Sequence, residues 1–113
     1  MQSSDLLFWK AGPALKLSAP EVTRELVWGE EVDGLVDLPI RKILDRLKAE
    51  FPHHEEKTGL LVGHAGSGSF EATWSWQHLK VHCHDLPATD HQRLIDIIES
   101  FDCQCHEAPA RHP

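Results

Sequence analysis

"SFEATWSWQHLKVHCHD" (residues 69–85) contains two alternating runs that do not share a parity. Phe70, Ala72, Trp74 and Trp76 form one apolar series, and Leu79, Val81 and Cys83 form another. Side chains on a strand alternate with a period of two, so one flat strand cannot carry both series on one face. Either a bulge lies near Gln77 and His78, or those two residues form a tight turn between two strands. With the turn, Trp76 would face Leu79 and Trp74 would face Val81, all on the same side. Gln-His is a poor pair for the primed hairpin turns, which want glycine or asparagine.

Upstream, "TGLLVGHAGSGS" reads as a strand at 58–63 followed by a glycine-serine loop. Before it, Ile40, Ile43, Leu44, Leu47 and Phe51 follow helical spacing and predict an amphipathic helix capped near Asp37 and stopped by Pro52. The outer face of that helix is basic, with Arg41, Lys42, Arg46 and Lys48. The i, i+4 pairs Arg41–Asp45 and Arg46–Glu50 offset it in part, and an acidic neighbouring helix would offset the rest. Downstream, Leu94, Ile97, Ile98 and Phe101 predict a second helix in "ATDHQRLIDIIESF", with Thr89 and Gln92 as a capping box. A last short strand covers about 102–107.

Residues 21–37 carry six acids against one arginine and read as a strand or a short helix, then a loop around 29–34. "SAPE" supplies a capping box from Ser18 to Glu21. Two helices and a mostly antiparallel sheet give an α+β two-layer sandwich, with the helices on one face. The order is βαβββαβ with the hairpin, or ferredoxin-like βαββαβ with one bulged strand. The expected organisation is an N-terminal arm or docked short strand and linker (1–20), one α+β domain (21–107) and a disordered tail (108–113).

The 113 residues are 41% hydrophobic and 26% charged, ordinary for a globular domain with a real core. No apolar run approaches the roughly 18 residues that span a bilayer. No basic segment precedes "LLFW", so neither a signal peptide nor a membrane association is expected, and a cytoplasmic location follows by default. The net charge of −7 argues against broad nucleic-acid binding, which needs a basic surface.

Alternation also divides the motif "KVHCH". His82 and His84 point with Lys80 to the open face, and Cys83 points to the core. If strands 79–85 and 102–107 are neighbours, His82, His84 and His106 meet on the open face. Three imidazoles with an open position would then suit zinc, copper or nickel. Cys83, Cys103 and Cys105 read as reduced, buried hydrophobes, since none sits in a Cys-x-x-Cys at a helix start. The loop "GHAGSGS" precedes a strand, not a helix, so it does not read as a phosphate cradle. No nucleophile, base and oxyanion set follows from the spacing.

The leading expectation is a protein that acts by binding a protein partner, basic or a second copy of itself, without a cofactor. Trp28 with Glu30, Glu31 and Asp33, and the apolar arm carrying Phe8 and Trp9, are the candidate contact residues. Aromatic anchors with charged surroundings carry binding energy at interfaces. The alternative is a metal-binding protein using His82, His84 and His106.

Overall fold

The helical stripe at 40–51 buries as its spacing predicts. In a computed structural model, which describes residues 3–107, Ile43, Leu44, Leu47 and Phe51 are all within 1% of full burial. They belong to the helix Ile40–Glu50 and its C-cap. Among the described residues the elements run β1 (Ser3–Ala11), α1 (Ala19–Val27), β2 (Leu35–Val36), α2 (Ile40–Glu50), β3 (His54–Lys57), β4 (Leu60–Ala65), β5 (Gly68–Trp74), β6 (His78–His84), α3 (Ala88–Glu99) and β7 (Gln104–Glu107).

Residues 69–85 are two strands, not one bulged strand. The register pairs Trp74 with Leu79 and Ala72 with Val81, so the turn lies one residue earlier than the Gln77-His78 expectation. No primed turn is needed there. Gln77 is buried at 3% exposure and its side chain anchors the turn to the loop before β2, which compensates for the poor turn residues.

The sheet order is β2-β1-β6-β5-β4-β3, and β7 also pairs with β1. Every pairing is antiparallel. Helices α2 and α3 cover one face, over Leu6, Phe8, Phe70, Ala72, Leu79, Val81 and Cys83. This is the two-layer α+β sandwich expected from the sequence. Residues 19–27 take the helical one of the two expected forms, as α1, and the element order is longer than either expected version because β1, β2 and β3 are further strands. Helix α1 serves the other face, where Val22 and Leu26 pack with Leu7, Trp9, Val32 and Leu35.

The N-terminal segment is therefore not a peripheral arm. β1 lies inside the sheet, with β6 on one side and β7 and β2 on the other. Its "LLFW" sends Leu6 and Phe8 to the larger core and Leu7 and Trp9 to the smaller one. Four consecutive apolar residues are the signature of a strand covered on both faces. The expected tail, 108–113, lies outside the described residues.

The basic strip of α2 is answered by the sheet rather than by α3. Glu56 of β3 accepts from both Arg41 nitrogens at 3.0–3.1 Å and from Lys48 Nζ at 2.7 Å. Arg46 and Glu50 form the expected i, i+4 contact at 3.5 Å. α3 starts at Ala88 after Pro87, with no side-chain cap, so Thr89 does not cap it.

Candidate functional site

Helix α1 sets the geometry of the acidic segment. The capping box forms as read: Ser18 Oγ accepts from Glu21 N, and Glu21 Oε1 accepts from Ser18 N at 3.2 Å. This bonding, led by the Ser18 backbone, holds the Glu21 carboxyl below its usual range. At the other end the chain leaves through Gly29 at φ +84°. Gly29 N donates to Leu26 O at 3.1 Å and Glu30 N to Glu25 O at 2.9 Å, the two bonds of a Schellman motif. Trp28 is the C-cap of α1, and 72% of its surface is exposed.

The segment after Gly29 turns back on a buried clamp. The Gln77 side chain bonds both backbone groups of Val32: its Oε1 accepts from Val32 N at 2.9 Å, and its Nε2 donates to Val32 O. Gly12 N donates to Gly34 O at 2.8 Å, and Gly34 needs its φ of +96° and its missing side chain where Leu15 passes. With Val32 held inward, Glu30, Glu31 and Asp33 are all exposed. A groove of about 390 Å³ runs between this loop and the segment after β1, lined by Ala14, Lys16, Leu17, Glu25, Glu31, Val32 and Asp33. Its carboxylates outnumber its one ammonium, and Leu17 offers an exposed apolar side chain. Chemically it suits a cationic side chain with an adjacent apolar one.

Of the contact residues expected from sequence, Trp28, Glu30, Glu31 and Asp33 therefore lie on the surface. Phe8 and Trp9 do not. They are 0% and 2% exposed, because β1 is an interior strand, and they cannot touch a partner in the folded protein. Leu17 and Glu25 were missed, since nothing in the sequence brings residues 14–17 against 31–33.

The histidines divide between separate environments. His82 and His84 do share the open face of β6, and Leu79, Val81 and Cys83 the covered one, as alternation requires. β6 and β7 are not neighbours, however: β1 lies between them. His82 Nδ1 lies 2.7 Å from Asp5 Oδ1, and His84 Nε2 lies 3.5 Å from Asp85. His106 stacks on Trp9, with ring centroids 4.5 Å apart and planes at 9°. Burial there pushes the His106 imidazole below its usual pKa. The expected metal set of His82, His84 and His106 is thus not assembled, and no described group of three or more His, Cys, Asp or Glu residues is arranged to hold an ion. A depression of about 360 Å³ beside His82 is lined instead by Asp5, Glu71, Thr73 and Lys80.

The thiols behave as the sequence suggests. Cys83 and Cys103 are buried, Cys105 packs partly buried against the same core, and all three are free. Desolvation pushes each thiol up to about 11. A larger cavity of about 630 Å³ opens at the end of the sheet where α3 begins, lined by Ser3, Ser4, Cys83, Leu86, Ala88, His91 and Gln92. No family model matches this chain, and neither a curated protein nor a solved structure matches it.

Proposed function

We propose that this protein is a binding module that takes a basic segment of a partner protein on its Trp28 surface. The observation that carries this reading is Trp28 itself: a large aromatic ring, 72% exposed, at the C-cap of α1 and followed in the chain by the exposed Glu30, Glu31 and Asp33. Indole is costly to leave in water, and tryptophan is enriched among residues that dominate binding energy. The carboxylates around it raise the association rate with a cationic partner. The Schellman turn and the Gln77 clamp order the surface before binding, which lowers the entropy to be lost on association. The groove that Glu25, Glu31 and Asp33 line with Leu17, on the same acidic segment though not lined by Trp28, suits an arginine or lysine next to a leucine-like side chain.

A fluorescence-anisotropy titration of the whole protein against Lys/Arg-Leu peptides, with Asp/Glu-Leu peptides of the same length as controls, tests the reading. Basic peptides bind, the affinity falls with added salt, and Trp28→Ala weakens it by at least tenfold. Equal binding of the acidic controls, or full binding by Trp28→Ala, overturns it. Light scattering after size exclusion identifies self-association, and a dimer that Trp28→Ala dissociates replaces the basic partner by a second copy.

A further inference from the structure

Ser4 and Cys83 are paired across β1 and β6, on the face that α2 and α3 cover. They stand at the end of the sheet, where α3 closes the gap between layers. His91, in the first turns of α3, reaches down to the strand. Its Nε2 lies 3.2 Å from Ser4 Oγ, joining two residues 87 positions apart. Both side chains line the 630 Å³ cavity, within the usual range for small-ligand sites. The pair is not sealed in the core, since Ser4 and His91 are each half-buried and open to the cavity.

We propose that Ser4 is a nucleophile activated by His91, and that the cavity accepts a small acyl ester. A neutral imidazole whose Nε2 carries a lone pair takes the hydroxyl proton as Ser4 Oγ attacks. Oγ bonds to the acyl carbon, the bond from that carbon to the leaving alkoxide breaks, and the alkoxide takes the proton from His91. Solvent water then attacks the acyl-serine with His91 again as base, releasing the carboxylic acid and restoring Ser4. Leu86 and Ala88 supply apolar wall for the acyl chain. The first hydrogen bond inside α3 runs from His91 N to Pro87 O, and no N-cap side chain occupies the amides that precede it. Of the residues carrying those amides, Ala88 lines the cavity, and a helix N-terminus favours negative charge of the kind that develops on the carbonyl oxygen. Cys83, across the strand pair, also bonds the Ser4 side chain, and burial pushes its thiol up to about 11, which lowers its thiolate fraction as a competing nucleophile.

p-Nitrophenyl acetate and the full chain provide the test. The expected result is a burst of p-nitrophenolate close to one per chain, with the acetyl group found by peptide mass spectrometry on Ser4. Ser4→Ala abolishes the burst, His91→Ala slows it by about a hundredfold or more, and Ser4→Cys restores acylation at position 4. Acetylation confined to lysines or cysteines, or a Ser4→Ala protein reacting at the wild-type rate, overturns the proposal. If Ser4→Ala loses its circular-dichroism melting transition, the site of acetylation in the wild type and in Ser4→Cys decides. A purely structural Ser4–His91 bond leaves position 4 unmodified in both, which overturns the proposal.

Discussion

Gln77 shows how one side chain can hold a surface it does not reach. Its amide satisfies both backbone groups of Val32, so removing it strands a buried N–H and a buried C=O. An unsatisfied buried group costs about 1–3 kcal/mol. Gln77→Leu should therefore lower the free energy of unfolding in urea by about 2 kcal/mol or more, and should weaken peptide binding at the Trp28 surface although no contact residue has changed. The tryptophans give a second contrast. Trp9→Ala should cost about 3–5 kcal/mol, the range for a buried aromatic, whereas Trp28→Ala should stay within about 0.5 kcal/mol of the parent in the same titration. From sequence the two look alike, each in a short apolar run with acids nearby. They differ because β1 is covered on both faces, which depends on strands and a helix far along the chain.

At the scale of elements, several local signals are legible, although the equally local Thr89–Gln92 box does not form, because Pro87 stands at the N-cap of α3. The Ser18–Glu21 box, the α2 stripe and the alternation of β6 depend on residues within a turn or two of each other. β3 left no such mark: "HEEK" has no apolar residue to bury, and it is held by pairing with β4 and by Glu56 reaching Arg41 and Lys48. The end of α1 gives a prediction. Gly29 lies at φ +84°, where a side chain is strained by about 1–2 kcal/mol. Gly29→Ala should lower the unfolding free energy by about that much. It should also broaden the Trp28 indole resonance as the Schellman turn loosens, which a heteronuclear spectrum would show.

For the whole molecule, strand order is what no local pattern encodes. The histidine expectation needed β6 and β7 side by side, and the chain inserts its first strand between them. Neighbour relations between distant strands are not written in any short window, and β1 between β6 and β7 keeps His106 away from His82 and His84. The buried thiols give a global prediction. Their folded values are raised from 9.0 to about 11, so the folded chain holds protons that the unfolded chain releases between those values. By linkage their contribution is fully present below pH 9 and is lost as pH rises toward 11. Thermal melts should shift downward across that window, and a Cys83→Ala, Cys103→Ala double variant should show a shallower fall. At the acid side, Lys48 and Arg41 hold Glu56 below its usual 4.5, so its support is present above that value and is lost progressively as pH falls from there through the lowered one.

The central place of β1 also has a cost in time. It leaves the ribosome before the other described strands, yet β6 and β7, which flank it, are the last two of them. At about 5–20 residues per second, β1 waits roughly 4–15 seconds for β6. During that interval "LLFW" has no sheet to enter. Such long-separation pairing slows folding and exposes apolar backbone. Nascent chains of this protein should therefore lean on a holdase, and a circular permutant that begins at Leu35 and joins β7 to β1 should need one less.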